Sequence, residues 1–433
     1  MRRLIRSAIV HFPDRCSDAI DPVWEYFADG LLWIEAGRVK VVGDATSLLN
    51  QLPAEIEIEH YPDQLLIPGM IDMHVHYPQL EMIAAYGTQL LDWLTRYTFP
   101  VELKYANAEY ASRQASAFLD QLLAQGTTTA LVFATSSKAS VDAFFEQAQM
   151  RNLRMISGKV LMDRNAPTDL CDNAASAYDD SAELIERWIN RGRLGYAVTP
   201  RFAPTSSEEQ LKAAGQLLAD YPDCYLHTHL AENHAECAWV SELYPQYRSY
   251  LDTYEQTGLL TDKSVFAHGI HLDASDHRSL AKAGSTLCHC PSSNLFLGSG
   301  LFSIKGAIEA GVQVGIGTDV GGGTSLSMLS ALGDAYKVQQ MRGENLSPAR
   351  ALYLATLGAA RALKLDHLIG NFETGKEADC VLLDPANLPQ LQMRLAHPMS
   401  IEETLFALMI MGDERAISQT WIMGEAVKPA STI

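Results

Sequence analysis

The chain has 433 residues, 47% hydrophobic and 20% charged, the balance of a globular protein with a large core. With 33 basic residues against 52 acidic ones its net charge is −19, which argues against a nucleic-acid partner, because such binding depends on basic patches. Seven scattered cysteines, an odd number at low density, argue against a disulfide scaffold and fit a reducing, cytoplasmic setting.

The opening stretch MRRLIRSAIVHFPDR has basic residues but only a short, broken apolar run. A secretory core needs about 7–15 apolar residues and a membrane span about 18 or more, and no stretch qualifies. Residues 1–66 alternate short apolar runs with turn residues, and LLWIEAGRVKVVGD reads as a hairpin. In the tail, GKEADCVLLD and ISQTWIMGEAVKP have the same texture. The two ends, 1–66 with 371–433, are therefore expected to build one small β-sandwich domain.

Between them, residues 67–370 repeat a different unit. The apolar runs LIPGMIDMHVH, TTTALVFA, MISGKVLM, GYAVTPRF, CYLHTHLAE, SVFAHGIHL, STLCHCP and VQVGIGTDV are separated by amphipathic helical stretches. AEYASRQASAFLDQLLAQG is one, and DSAELIERWINRG is another, with Gly192 as its expected C-cap. Strands alternating with helices imply parallel βαβ units, and this many imply closure into a (β/α)8 barrel of α/β class. An open doubly wound sheet is the alternative, but no G-x-G-x-x-G follows a strand.

Chemistry-bearing residues fall at the ends of these runs. The first closes on His74-Val75-His76, and residues i and i+2 of a strand share a face, so both imidazoles can converge inside the barrel mouth. His229 ends CYLHTHL, His268 ends SVFAH and Asp319 ends VGIGTD. Barrel enzymes place catalytic groups at these C-terminal strand ends. Imidazoles with a carboxylate suit zinc, which keeps a position open for water in catalytic sites. A lone strand-end histidine is more often an ordinary core or surface residue; the joint order H-x-H, H-x-x-E, strand-end His, T-D points to a metal. Two other clusters are weaker. His234-Ala235-Glu236 imitates the H-x-E of cytidine-type zinc deaminases but lacks P-C-x-x-C, and reads as a solvated helix face. Cys288-His289-Cys290 lacks a partner pair and reads as core packing.

The order resembles the amidohydrolase superfamily, opened by PGMIDMHVH and closed by GIGTD, over the barrel and both β-rich ends. Within it the chain is similar to the guanine deaminases in DMHVHYPQ, LLDWLTRYTFP, GTTTALVFAT, GKVLMDRNAP, TPRFAPTSS, HTHLAEN, FAHGIHL, CPSSNLFLGSG, GTDVGGGTS, YLATLGAARAL and LIGNFETGKEAD. YTFP and TPRF are the most specific of these; H-x-H and T-D are shared across the superfamily.

The resemblance implies that His74, His76, His229 and Asp319 ligate one zinc, with His268 beside the metal-bound water. His227 also faces inward, but only His229 is followed by x-x-Glu, as the family ligand is, so His227 is expected behind the ligands. Relatives with two metals bridge them through a lysine of the fourth strand; GYAVTPRF has none, and Lys159 in the third run reads as structural or ion-paired. Asp319 would take the water proton, His268 would orient the hydroxide, and Glu232 would protonate a ring nitrogen. Arg201 would bind a purine carbonyl, Phe202 would frame the base and Gln79 would hydrogen-bond its edge. The implied activity is zinc-dependent hydrolysis of guanine to xanthine and ammonia in purine catabolism. The implied protein is a cytoplasmic homodimer with a small-molecule purine partner and no nucleic-acid or membrane partner. The alternatives are a related deaminase of 8-oxoguanine, an adenosine-like nucleoside or cytosine, and a catalytically inactive scaffold.

Overall fold

The computed structural model describes residues 2–17, 21–50, 57–86, 89–397 and 399–427. Strands β1 (Arg2–His11), β2 (Glu25–Glu35), β3 (Arg38–Asp44) and β4 (Glu59–Pro68) come first. In the middle lie β5 (Met70–His76), β6 (Thr127–Phe133), β7 (Arg154–Gly158), β8 (Val160–Leu161), β9 (Gly195–Pro200), β10 (Tyr225–Leu230), β11 (Ser264–His268), β12 (Thr286–His289) and β13 (Gln313–Ile316). β14 (Cys380–Leu383), β15 (Ile417–Ile422) and β16 (Glu425–Val427) follow.

The middle strands form the (β/α)8 barrel. They pair in parallel along the path β5-β6-β7-β9-β10-β11-β12-β13. β7 and β8 are two pieces of the third predicted run, broken at Lys159, and β8 also pairs with β9. No ladder joins β13 to β5 among the described residues. The seam closes just beyond β13, where the Asp319 N–H donates to the His74 carbonyl (2.8 Å) and the His76 N–H to the Val320 carbonyl (2.9 Å).

Strand periodicity explains the two-sided burial. Alternate residues such as Leu131, Ile156, Ala197, Val265 and Cys288 fill the barrel interior. Their neighbours Val132, Met155, Val198, Phe266 and Leu287 pack outward under the helices. β5 departs from this rhythm. Asp72 pairs with Ala130 and Val75 with Val132, so β5 carries one residue more than β6 over that interval. The bulge lets Met73 join the interior core while His74 and His76 also turn to the centre, with Val75 packed outward. The Asp72 carboxylate holds it, because Oδ1 accepts from the His74 N–H (3.2 Å) and from the Thr318 N–H (3.0 Å) across the seam.

The terminal strands form a seven-stranded sheet in the order β16-β15-β14-β4-β1-β2-β3, antiparallel except for β1 beside β4. Ala36 and Gly37 turn β2 into β3, as the hairpin reading requires. One face packs Ile5, Ile9, Leu32, Leu382 and Trp421 together. The other supplies Val10, Ile67, Val381 and Leu383 to the main core. Buried Glu377 fastens this sheet to the barrel by pairing with Arg154 (2.6 Å) and Arg193 (2.7 Å). Within 371–433, the helix Ile401–Met411 packs on the helix Met328–Met341, where Phe406 and Tyr336 meet edge to face at 4.9 Å. Residues 428–433 lie outside the described chain.

Gly192 is not a C-cap. The helix Ala174–Trp188 ends on Ile189, and Gly192 takes its left-handed φ of 66° in the turn that follows. Gly158, at the end of β7, is needed for a different reason: a Cβ there would lie 1.8 Å from the Ala197 carbonyl oxygen. Gly158→Ala must spread β7 from β9 and is expected to cost about 1–3 kcal/mol. A urea midpoint equal to that of the parent would show that the strands accommodate the methyl group.

Candidate active site

His74 and His76 close β5, His229 lies in β10, and Asp319 follows β13 by three residues. Their ligand atoms all lie within 4.8 Å of one another. The Nε2 atoms of His74 and His76 are 3.2 Å apart, and those of His76 and His229 are 3.3 Å apart. Asp319 Oδ1 is 3.2 Å from His74 Nε2 and 3.4 Å from His76 Nε2. His268 closes β11 and aims its Nε2 at Asp319 Oδ2 (3.7 Å) and Glu232 Oε2 (3.3 Å). His268 and Asp319 have left-handed backbones, φ 70° and 51°, sparsely populated by residues other than glycine and concentrated at working sites.

This donor set fits a metal ion. The Arg201 carbonyl can only accept, so His229 must donate from Nδ1 (2.6 Å), which leaves the lone pair of Nε2 facing the centre. His74 meets Nε2 of His227 through its own Nδ1 (2.7 Å), so its Nε2 is also free to face inward. His227 thus stands behind His74. Burial lowers the His76 imidazole to about 4 and His229 well below its ordinary range, keeping both neutral, as ligands must be. Burial would raise the Asp319 carboxyl, but the charge and hydrogen bond of His74, then the hydrogen bond of His76, carry it well below the usual range. A second combination, His74, His268, Cys290 and Asp319, shares two members with the first and describes the same centre.

Glu232 lies two residues before the helix His234–Leu243 and is fully buried. Burial, then the charges of Glu236 and Asp319, push its carboxyl well above the carboxylate range, against one donation from the Ser299 hydroxyl (2.9 Å). This environment favours the neutral carboxyl over the carboxylate. Asn294 donates its amide N–H to Nδ1 of His268 (2.8 Å).

His76, His229, Glu232, His268 and Asp319 line one end of an open pocket of about 400 Å³. Leu90, Trp93, Leu94, Phe202 and Leu297 form its apolar walls, and Arg201 and Gln79 its polar edge. All nine site residues expected from the sequence belong to this one region. Sequence reasoning missed Glu102. This buried carboxylate accepts twice from Arg201 Nη1 (2.8 and 3.0 Å) and once from Gln79 Nε2 (3.3 Å), so it sets the whole polar edge. It follows the YTFP string by two residues, and only that adjacency could have drawn attention to it. Asn294 and Ser299 lie inside CPSSNLFLGSG, a string that no role had been attached to.

The His234-Ala235-Glu236 reading needs correction. Glu236 does not face solvent: it is buried and accepts from the Glu232 and Asn233 N–H groups (2.8 and 3.1 Å) and the Tyr250 hydroxyl (2.7 Å). It caps its own helix, and a capping carboxylate must turn inward to reach those donors. His234 and Ala235 are the exposed members, and the His234 ring lies tilted against that of His271 at 3.8 Å. Lys159 is buried and paired with Asp172, away from the metal cluster. Cys288 packs in the barrel interior as expected, while Cys290 reaches the edge of the metal cluster.

Residues 65–427 match the amidohydrolase family. The chain is 50% identical to a guanine deaminase of Escherichia coli over 402 residues, which cover 93% of this chain and 92% of that one. The E. coli guanine deaminase structure superposes with a TM-score of 0.96 at 47% identity, over 99% of this chain and 100% of the other. The structure of a C. acetobutylicum guanine deaminase with guanine bound in its active site superposes with a TM-score of 0.88 at 26% identity, again over 99% and 100%. The chain belongs to the amidohydrolase family, on its guanine deaminase branch.

Proposed function

We propose that this chain hydrolyses guanine to xanthine and ammonia, with one zinc ion held by His74, His76, His229 and Asp319. The observation that carries the reading is the convergence, in one pocket, of that donor cluster, a protonated buried carboxyl and a polar edge suited to a purine. The guanine deaminase relatives support the same substrate.

A bound zinc ion would supply Lewis-acid activation of water at this cluster. The protein side chains handle the protons. Asp319, ionised, accepts one proton from the attacking water. Glu232, neutral, gives its proton to the ring nitrogen next to C2 as the C–O bond forms, which removes the negative charge that addition puts on the ring. Asp319 then returns its proton to the amino group, the C–N bond breaks and ammonia leaves. The second proton of the water restores Glu232, so the balance is guanine plus water to xanthine plus ammonia. His268 presents its Nε2 to the oxygen nucleophile. Arg201 donates to the O6 carbonyl, Gln79 bonds the ring edge, and Phe202 with Trp93 encloses the ring faces. The cysteine usage supports a cytoplasmic setting, the guanine deaminase relatives support a role in purine catabolism, and the family resemblance supports a homodimer.

Incubation with guanine is expected to release xanthine and ammonia in equal amounts. Turnover of cytosine, adenosine or 8-oxoguanine with guanine left intact would overturn the substrate assignment. Metal analysis of the protein is expected to return about one zinc per chain and much less in His229→Ala, while Glu232→Gln keeps its zinc. Glu232→Gln removes the transferable proton and should lower kcat about 10²–10⁴-fold. Arg201→Ala should retain zinc and lose about 10- to 100-fold in kcat/KM for guanine, the value of a charge-assisted hydrogen bond; unchanged kinetics there would rule out the O6 contact.

A further inference from the structure

The segment after β12 supplies neither a metal ligand nor the purine edge, yet its side chains reach both the proposed acid, Glu232, and the imidazole beside it, His268. The short helix Pro291–Phe296 carries Asn294, whose Nδ2 donates to Nδ1 of His268 at 2.8 Å. In the turn that follows, the Ser299 hydroxyl donates to Oε1 of Glu232 at 2.9 Å. The two are tied together, because the Ser299 main-chain N–H donates to the Asn294 carbonyl at 2.9 Å. His271 anchors the turn from outside, bonding the Ser299 carbonyl through Nε2 at 2.9 Å. Asn294 is 1% exposed and Ser299 4%, so water does not substitute for either contact.

Each contact leaves a definite atom for chemistry. A neutral imidazole has one N–H and one lone pair. Donation from Asn294 occupies the lone pair of Nδ1, so the ring proton sits on Nε2. That N–H points between Glu232 Oε2 (3.3 Å) and Asp319 Oδ2 (3.7 Å) and has no hydrogen-bond partner among the described residues. In the opposite tautomer Nε2 would be an acceptor at the same 3.3 Å from Oε2, and would hold the hydrogen that Glu232 has to give away. Ser299 acts on the other side of the same carboxyl. A neutral carboxyl accepts best at its carbonyl oxygen, so donation to Oε1 leaves Oε2 as the oxygen that carries the proton.

We infer that Asn294 and Ser299 are a coupled pair of positioning residues, which fix the tautomer of His268 and the proton-bearing oxygen of Glu232 so that the Glu232 proton goes to substrate and not to the imidazole. This rests on Glu232 acting as the acid in the proposed deamination.

The test compares zinc-loaded parent, Asn294→Asp, Asn294→Ala, Ser299→Ala and Ser299→Thr, with guanine as substrate and zinc content and thermal midpoint measured alongside. Asn294→Asp keeps the shape but reverses the polarity, because a carboxylate accepts from Nδ1–H and forces the wrong tautomer. Its kcat is expected to fall about 10²–10³-fold, further than that of Asn294→Ala, with KM within about threefold and zinc retained. Ser299→Ala should lose about tenfold in kcat, and Ser299→Thr, which keeps the hydroxyl, should recover most of it. A purely structural role predicts the reverse order at 294, since the isosteric Asp would be the milder change; that order, or full activity in Asn294→Asp, overturns the inference. Ring ¹⁵N shifts of His268 read the tautomer without substrate. They should show Nε2–H in the parent and Nδ1–H in Asn294→Asp, and the same tautomer in both would also overturn it. A parent that leaves guanine intact but passes the ¹⁵N comparison fails the proposed function and keeps the positioning assignment.

Discussion

The seam between β13 and β5 is where this molecule has least freedom. A barrel closes only if its last strand meets its first, and among the described residues no regular ladder does that. The closure consists of main-chain bonds from Asp319 to His74 and from His76 to Val320, with the Asp72 carboxylate spanning Thr318 and His74. Three of the four candidate metal ligands are therefore also the residues that close the fold. Burial raises Asp72 to about 6, above the range of an exposed carboxylate, even though three donors stabilise its charge. Such a group is kept for what it holds in place: the extra residue of β5, without which His74 and His76 would face away from the centre.

The same burial gives opposite charge states to two carboxyls a short distance apart. Asp319 and Glu232 are both fully enclosed, which by itself raises both. Asp319 faces the imidazoles of His74 and His76 and ends ionised. Glu232 faces the charges of Glu236 and Asp319, has a single hydroxyl donor, and is pushed toward its protonated form. A base and an acid are thus made from one kind of side chain by the choice of neighbours, which is the arrangement hydrolytic deamination needs. Glu236 contributes twice, through its charge and by accepting the main-chain N–H of Glu232.

What the sequence discloses and what it hides follow from the range of the interactions. Strand periodicity is local, so the eight barrel runs, the β2–β3 hairpin and the strand-end positions of His74, His76, His229 and His268 were all legible. The inward turn of His74-Val75-His76 was legible as a pair, but the bulge that aims it depends on a count against β6, whose Val132 lies 57 residues beyond Val75. Glu102 was invisible because a carboxylate on an irregular helical segment has no signature until Arg201, ninety-nine residues on, is seen across from it. Glu236 misled for the same reason: helix position suggested solvent, while its partners Tyr250 and the Glu232 main chain turned it inward. Asn294 and Ser299 sat in a string noticed for its resemblance, with nothing local to say that one faces His268 and the other Glu232.

Arg201 shows how such a frame can keep its metal chemistry while its recognition end changes. Its main chain is held on both sides, donating to the Leu161 carbonyl at 3.2 Å and accepting from the His229 main-chain N–H at 3.3 Å and from Nδ1 at 2.6 Å. Those contacts fix the orientation of a candidate ligand and require no particular side chain at 201. The guanidinium points the other way, into the pocket, and is held by Glu102. Replacing the side chain, or its partner at 102, alters the edge that meets a substrate ring without loosening the imidazole that faces the metal. The ligand cluster depends on backbone geometry and the recognition edge on side chains, so the two can vary independently.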